Sequence, residues 1–401
     1  MRRVYFDHSA TTPVHPKVAE EVCRFLTGDN FGNPSSVHYF GLLARRAVTA
    51  AREKVAAAIG AGASEIVFTS GGTESDNMAI HGTAYTNRDR GNHIITSSVE
   101  HHAVLNAVKT LGKQGFDITI LPVDRYGMVS VEDVKNAITD HTILITIMHA
   151  NNEVGTIMPV AEIGKLAKER GIIFHVDAVQ SFGKIPVDVN ELNADLLSVS
   201  GHKIYGPKGI GALYIRKGTR WKQTLFHGGA QERLRRAGTE NVPGIVGLGK
   251  AVELAVENME EESKRLAGLR DQLIRGVTGR FNNSRLTGHP VCRLPNHASF
   301  CFSRVEGESL LISLDMKGIA VSSGSACTSG SLEPSHVLLA MGIPPVESHG
   351  SLRLTLGKNN TDEDVNYFLE ALGPIMERML AMSPLTEKDV ENAGIFKTND
   401  F

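Results

Sequence analysis

The strongest constraint on this sequence is a regular alternation between short apolar runs and longer amphipathic segments. A helix-like segment such as PVAEIGKLAKERG (159–171) separates neighbouring runs. Strands rich in Val and Ile that alternate with helices predict an α/β fold with a large, mostly parallel sheet covered on both faces. The runs are EIVFTS (65–70), HIITSS (93–98), DITILPV (117–123), TILITIMHA (142–150), IIFHVDA (172–178) and LLSVSGHK (196–203).

The pattern changes in the second half of the chain. GALYIRKG (211–218) predicts one more strand, and the apolar spacing over 243–277 predicts a helix long enough to connect two domains. NHASFCFS (296–303) alternates like an antiparallel strand, and SLRLTLG (351–357) predicts another strand. We therefore expect a smaller α+β domain over roughly 278–383, followed by a loose polar tail.

Composition and charge exclude several classes of protein. A chain of 401 residues with 41% hydrophobic residues has room for two or three domains. Its formal net charge of −2 provides no basic field for nucleic acid. Four cysteines without a C-x-x-C pair form no disulfide framework and suggest no zinc site. The absence of a signal peptide and of an 18-residue apolar stretch predicts no membrane association and a cytoplasmic location.

Ligands of open α/β sheets bind at the carboxyl ends of the strands, so the polar residues there form the candidate site. After the first run, Gly72 and Thr73 lead into a helix whose free N–H groups suit a phosphate; an ordinary glycine turn with a threonine cap is the alternative. After the second run come His101 and His102. One imidazole stacked on a flat ligand, a plain surface histidine and a metal site are the three interpretations of this pair.

Two further strand ends carry groups that are costly to bury. Asp177 closes one strand, with Gln180 three residues on, and either meets a charged ligand or caps a helix. Ser200, His202 and Lys203 close the next strand. A desolvated lysine amine suits a Schiff base, whereas a lysine that reaches solvent is the ordinary alternative. GHKIYGPKG lacks the Gly-Lys-Ser/Thr ending of a phosphate-binding loop, so a nucleotide site is a weak interpretation.

Together these signals have one economical explanation. A phosphate cradle, a planar stacker, a buried carboxylate and a strand-end lysine are what pyridoxal 5'-phosphate needs. The carboxylate keeps the pyridine nitrogen protonated, and the lysine holds the cofactor covalently. No metal ligand set is predicted.

Blocks from VYFDHSATTPVHP to LRLTLG give the chain a specific resemblance. It resembles the cysteine desulfurases of the NifS/IscS type, which are fold type I, aminotransferase-like pyridoxal-phosphate enzymes. The blocks are NFGNPSSVH, FTSGGTESDN, EHHAVL, NNEVGT, HVDAVQ, SGHKIYGPKG, ERLRRAGTEN and SSGSACTSGS, in that order.

The resemblance implies a role for each site residue. The cofactor set would be Lys203 as Schiff-base lysine, Asp177 at the ring nitrogen, Gln180 at the phenolic oxygen, Asn152, and Gly72, Thr73, Ser200 and His202 at the phosphate, joined by Thr239 of the other subunit. His101 would stack on the ring and transfer protons. Asn152 and Arg353 would bind the substrate carboxylate. Cys327 would be the nucleophile that becomes a persulfide.

The resemblance also implies the organisation and partners of the protein. A large cofactor-binding domain would span 15–258, and a small domain carrying the cysteine segment would comprise 1–14 and 259–383, with a polar tail over 384–401. The protein would be a homodimer that converts L-cysteine to L-alanine and passes sulfur to an iron–sulfur scaffold or another acceptor protein. One departure lies in HGGAQERLRR, where the family would have glycine at Ala230 and Leu234. This departure concerns the shape of the loop that bears Thr239.

The segment SSGSACTSGS (322–331) has no residue larger than threonine, which is typical of a pliable loop. Such a loop lets Cys327 attack sulfur in the site and then deliver it outside. We expect Cys23, Cys292 and Cys301 to be core or edge residues. The alternatives are a selenocysteine lyase, another pyridoxal-phosphate lyase, or a non-catalytic sulfur-relay scaffold.

Overall fold

The computed structural model describes residues 2–324 and 334–386. Its strands are β1 (Val4–Tyr5), β2 (Ile66–Thr69), β3 (His93–Ser97), β4 (Asp117–Leu121), β5 (Thr142–Met148), β6 (Ile173–Asp177), β7 (Leu196–Ser200), β8 (Gly211–Ile215), β9 (Ser284–Leu286), β10 (His297–Phe302), β11 (Ile319–Ala320) and β12 (Ser351–Thr355). Cys327 and most of the predicted polar tail lie outside the described residues.

The helices alternate with these strands over most of the chain. They are α1 (Pro16–Arg24), α2 (Tyr39–Ala58), α3 (Gly72–Asn87), α4 (His102–Gly112), α5 (Val131–Ala137), α6 (Val160–Glu169), α7 (Gln231–Leu234), α8 (Val242–Glu257), α9 (Met259–Arg280), α10 (Gly307–Asp315), α11 (His336–Ala340), α12 (Pro345–Ser348) and α13 (Asp362–Met382).

Seven strands form the large sheet, in the order β2-β8-β7-β6-β5-β3-β4. All neighbours run parallel except β8, which is antiparallel to both β2 and β7. Strands β3, β5 and β7 are buried along their whole length, as expected where helices cover both faces of a parallel sheet. The predicted α/β class and all seven strands are confirmed.

A second, smaller core lies in the C-terminal part of the chain. Strands β12, β10 and β9 form an antiparallel sheet, and β1 pairs in parallel with β11. Leucines of α9 and apolar residues of α13 pack on this sheet together with Phe6, Phe300 and Phe302. The antiparallel strand predicted over 296–303 and the strand predicted over 351–357 are confirmed. The exact domain limits stay a prediction.

The single long helix predicted over 243–277 is wrong. The pattern divides at Asn258, whose φ of −127° and ψ of 24° interrupt the helix, so α8 ends and α9 begins there. Three glutamates fill the first turn of α9, where the positive end of a helix dipole stabilises negative charge. The break also changes partners: α8 is buried in the large core, whereas α9 packs on the small one.

Three cysteines lie within the described residues, and none is in a disulfide. Cys301 is buried in β10, as expected for a core residue, and burial raises the pKa of its thiol strongly. Cys23 and Cys292 are exposed, so the core interpretation does not apply to them. None of the helices within 2–324 and 334–386 is both long and apolar enough to cross a membrane.

Candidate active site

A cavity of about 300 Å³ opens at the carboxyl ends of β5, β6 and β7. Because parallel strands end at the same edge of a sheet, the polar residues that close them converge there. Ten of the twelve residues predicted from the sequence line this cavity: Gly72, Thr73, His101, Asn152, Asp177, Gln180, Ser200, His202, Lys203 and Arg353.

Lys203 lies in a short 3₁₀ turn, Gly201–Lys203, directly after β7. Its Nζ donates hydrogen bonds to the backbone carbonyls of Ser9 at 2.5 Å and Ala10 at 2.7 Å. The N-terminal segment therefore crosses the cavity and holds the amine inside it. Its contribution comes from carbonyl groups, which every residue has, so no side-chain pattern could have predicted it.

Asp177 closes β6 as a buried carboxylate. Its Oδ1 accepts a hydrogen bond from the Val179 backbone N–H at 2.9 Å. Burial raises the pKa of Asp177, that hydrogen bond and the positive charge of Lys203 oppose the rise, and the resulting pKa is about 6. A carboxylate in this setting is stabilised by any cationic group that enters the cavity.

Asp76 is a second buried carboxylate in the cavity, and sequence reasoning missed it. Burial and the charge of Asp177 raise its pKa well above the usual range, and its Oδ1 has no hydrogen-bond partner within the described residues. The signal was available in GGTESDN, since Asp76 follows Gly72 by four residues and shares its face of α3.

The N-terminus of α3 forms one wall of the cavity. Gly71 precedes the helix with a φ of 152°, which residues with a side chain rarely adopt, and no side chain caps the helix there. A Cβ added to Gly72 would lie 2.7 Å from Val179 Cγ2, so this position also requires glycine. Free N–H groups at a helix start attract anions.

His101 and His202 both line the cavity as neutral imidazoles. Burial, with the charge of Lys203 as the next cause, lowers the pKa of each to about 4. His101 Nδ1 accepts from the Ala103 N–H at 3.1 Å, which places the ring proton on Nε2. His202 Nδ1 lies 3.1 Å from Thr11 Oγ1. Within the described residues, no cluster of three or more His, Cys, Asp or Glu is arranged to hold a metal.

Arg353 brings a buried guanidinium from β12 to the cavity. Its Nη1 donates to the Asn152 carbonyl at 3.1 Å and its Nη2 to Asp7 Oδ1 at 2.9 Å. Its Nε is buried and has no partner within the described residues. Two of its five N–H groups therefore fix the plane of the guanidinium, and a planar cation held in this way suits a carboxylate ligand.

Gln180 links the cavity to a lysine that the sequence analysis did not single out. Its Nε2 donates to the Ser9 carbonyl at 3.0 Å, and its backbone carbonyl accepts from Lys184 Nζ at 2.7 Å. Burial and the charge of Lys203 lower the pKa of Lys184 to about 7. The hydrogen bond from this partly buried amine therefore helps to fix the backbone of Gln180 beside the cavity.

Two predicted residues are not part of this cavity. Cys327 falls outside the described residues. Thr239 is exposed on the loop after α7 and is not among the residues that line the cavity. The predicted role of Thr239 toward a second subunit stays a prediction.

Leu234, where the family would have glycine, lies in a turn with left-handed backbone conformation. Glu232, Arg233 and Leu234 have φ values of 47°, 57° and 66°, a region that favours glycine. Ala230 has a φ of −85°, which alanine adopts without strain. The turn is therefore left-handed with leucine at 234, and buried Glu232 within it pairs with Arg52.

Comparisons with known proteins agree with this geometry. The family model described as aminotransferase class-V matches residues 4–368. The cysteine desulfurase IscS of Methanosarcina thermophila is 58% identical over 388 residues, which is 97% of this chain and 95% of that protein. The cysteine desulfurase IscS of Clostridium botulinum strain Hall is 56% identical over 393 residues, 98% of each chain.

Solved structures give the same result. A NifS-like protein has a TM-score of 0.88 and 41% identity, and the match covers 94% of this chain and 100% of that one. A structure described as SspA in complex with cysteine has a TM-score of 0.78 and 40% identity, covering 88% and 98%. The chain therefore belongs to the class-V aminotransferase family and, within it, to the cysteine desulfurases of the IscS type.

Proposed function

We propose that this enzyme takes sulfur from L-cysteine, releases L-alanine, and carries the sulfur on Cys327 to an acceptor protein for iron–sulfur cluster assembly. The observation that best supports the substrate is the buried Arg353, whose guanidinium is held by two hydrogen bonds and which lines the same cavity as Lys203. An α-amino acid would place its carboxylate at Arg353 and its amine near Lys203.

The residues in the cavity fit pyridoxal 5'-phosphate, the cofactor of this family. The uncapped start of α3 suits its phosphate, with Gly72, Thr73, Ser200 and His202 around it. Asp177 suits the protonated pyridine nitrogen, Gln180 the phenolic oxygen, and the Lys203 amine the covalent attachment. When bound, the cofactor supplies an electron sink for the electrons released at the substrate Cα.

Arg353 and Asn152 orient the substrate. The Asn152 carbonyl and Asp7 already hold two nitrogens of the guanidinium, so little side-chain freedom is lost when a carboxylate binds. The orientation of the substrate about its Cα follows from this fixed carboxylate site.

Lys203 and His101 are the groups we assign to proton transfer. His101 is neutral because burial and the nearby Lys203 charge lower its pKa to about 4. Loss of that charge raises the proton affinity of the imidazole, so His101 becomes a better base when Lys203 is neutral. Either residue is then able to take the thiol proton of Cys327 or a proton of the substrate.

The sulfur step conserves atoms and electrons. The C–S bond of cysteine breaks as an S–S bond forms with Cys327 Sγ, and the substrate carbon takes up a proton. Cysteine plus the Cys327 thiol gives alanine plus the Cys327 persulfide. A thiol of the acceptor protein then takes the terminal sulfur and restores Cys327.

We further propose a homodimer in which the exposed Thr239 of each subunit reaches the phosphate of the other. The large domain over 15–258 would carry the cofactor, and 1–14 with 259–383 would carry the cysteine segment. From the sequence and the family we also propose a cytoplasmic location and an iron–sulfur scaffold or another protein as the sulfur acceptor.

The proposal is tested with the purified holoenzyme and L-cysteine. Wild type should release alanine and, without reductant, gain one sulfur on the peptide that holds Cys327. Cys327→Ala should exchange the substrate Cα hydrogen with solvent deuterium but form almost no alanine. Alanine release by Cys327→Ala at the wild-type rate, or alanine release only from selenocysteine, would refute the proposed function.

A further inference from the structure

One buried carboxylate, Glu153, contacts the residues on both sides of the segment 325–333. Its Oε2 accepts a short hydrogen bond from Ser335 Oγ. A Cβ added to Gly324 would lie 2.8 Å from the same oxygen and 3.2 Å from Ser335 Cβ. The residues on both sides of the segment 325–333, which contains Cys327, therefore lie beside the same carboxylate.

Ser335 has its hydrogen bonds fixed by two elements. Its Oγ accepts from the Leu338 backbone N–H at 3.3 Å and so caps the start of α11. A serine hydroxyl has one proton and two lone pairs; one lone pair accepts from Leu338, and the proton is donated to Glu153 Oε2. The carboxylate thereby holds the start of α11 in place.

The opposite side of the same turn faces the substrate pocket. Asn151 Oδ1 accepts from the backbone N–H groups of Glu153 at 2.8 Å and Val154 at 2.9 Å, which fixes the turn. The Asn152 carbonyl receives Arg353 Nη1, and Asn152 lines the cavity. Asn152 and Glu153 are consecutive, so one turn contacts both Arg353 in the proposed substrate pocket and Ser335 beside the segment 325–333.

The backbone supports the same connection. Ser322 and Arg353 exchange two backbone hydrogen bonds, from Ser322 N–H at 3.2 Å and from Arg353 N–H at 2.7 Å. Gly324 N–H donates to Ser351 Oγ at 3.4 Å. Strand β12 therefore contains Arg353 and also pairs with the residues directly before 325–333, while Glu153 binds Ser335 directly after them.

We propose that Glu153 is a positioning residue. It fixes the residues on both sides of the segment 325–333, which contains Cys327, relative to the pocket formed by Asn152 and Arg353. This inference rests on the proposed function, in which Cys327 Sγ takes the substrate sulfur. Glu153 contacts neither reacting atom in this scheme. Its loss should therefore slow the transfer of sulfur to Cys327 and leave the earlier proton exchange at the substrate Cα in place.

The experiment compares two rates in the holoenzyme. Exchange of the cysteine Cα hydrogen with solvent deuterium reports substrate binding and proton transfer, and single-turnover mass spectrometry reports persulfide formation. Glu153→Ala should lower the persulfide rate about tenfold, as expected for loss of one buried hydrogen bond. Exchange should change less than about threefold. Glu153→Gln keeps an oxygen that accepts from Ser335 and should restore most of the persulfide rate.

Ser335→Ala gives an independent result if Glu153→Ala does not fold. It should reproduce the selective loss of persulfide formation, and the double variant should be no slower than the slower single one. Glu347→Ala is the matched control, since Glu347 is equally buried but pairs with Arg285 at 3.4 Å. Its ratio of persulfide to exchange rate should equal that of wild type.

The two proposals fail in different ways. Equal slowing of exchange and persulfide formation in Glu153→Ala, or a persulfide rate unchanged in both Glu153→Ala and Ser335→Ala, would overturn the positioning role. Absence of a Cys327 persulfide in wild type would instead refute the proposed function.

Discussion

The buried ion pair between Arg52 and Glu232 leads to a quantitative prediction. Two hydrogen bonds of 2.7 Å join the guanidinium to the carboxylate, and Glu232 Oε2 also accepts from the Phe68 N–H at 3.1 Å. The Glu232 side chain is 3% exposed and that of Arg52 is 11% exposed. The pair joins α2 to the left-handed turn that precedes Thr239.

Glu232→Ala leaves the Arg52 guanidinium buried without its counter-charge. Removing one partner of such a pair costs about 3–5 kcal/mol. At about 2.1 cal/mol/K per residue, unfolding of the 401-residue chain has an entropy of about 0.84 kcal/mol/K. The melting temperature should therefore fall by about 4–6 °C.

Differential scanning calorimetry measures this shift directly. Glu253→Ala is the control, because its carboxylate is 37% exposed beside Lys54 and such surface pairs are worth less than about 1 kcal/mol. The double variant Arg52→Met/Glu232→Leu removes both charges and should recover most of the loss. A decrease for Glu232→Ala no larger than that of the control, or no recovery in the double variant, would refute the reasoning.

Two further predictions concern the active site. Arg353→Lys should raise KM for cysteine about 10–100-fold in alanine-release assays. Lysine cannot replace the fixed guanidinium N–H groups, and a charged hydrogen bond is worth about 1.5–3 kcal/mol. An unchanged KM would contradict the assigned carboxylate site. Burial lowers the pKa of Lys184 from 10.5 to about 7, so between these values the unfolded chain binds the proton and the folded chain does not. Protonation of Lys184 therefore destabilises the folded state fully below pH 7 and has no effect above pH 10.5. Lys184→Met should raise the melting temperature of the cofactor-free protein most below pH 7. An equal rise at pH 6 and pH 10 would contradict the lowered pKa of Lys184.

Apolar periodicity predicted the strands because the large sheet is buried on both faces. TILITIMHA and LLSVSGHK contain little besides Val, Ile, Leu and small residues, and each ends where a polar group reaches the cavity. The antiparallel direction of β8 between β2 and β7 was not predictable, since strand order depends on pairing between distant segments. The break at Asn258 was missed because one asparagine changes the helical periodicity little.

The site was predictable where a side chain marks a strand end. Lys203 and Asp177 are costly to bury, so their positions at the ends of apolar runs indicated a ligand. Lys184 was not predictable in the same way, because GKIPVD carries no sign that its lysine turns inward onto Gln180. Arg353 was found only through the resemblance to a family, since its strand belongs to the other core.

The turn NNEVGT shows why the remaining contacts lie beyond sequence reasoning. A helix or strand assigns side chains to faces by its period, but a turn has no period, so Asn152 and Glu153 give no sign that they serve different sites. Their partners are set by tertiary packing, with Ser335 182 residues from Glu153 and Arg353 201 residues from Asn152. The Asn151 side chain accepts from two backbone N–H groups of the turn and so fixes the short connection between these residues. The proposed substrate pocket and the residues that flank 325–333 are therefore joined by a single turn, whose contacts are determined by the fold and not by the local sequence.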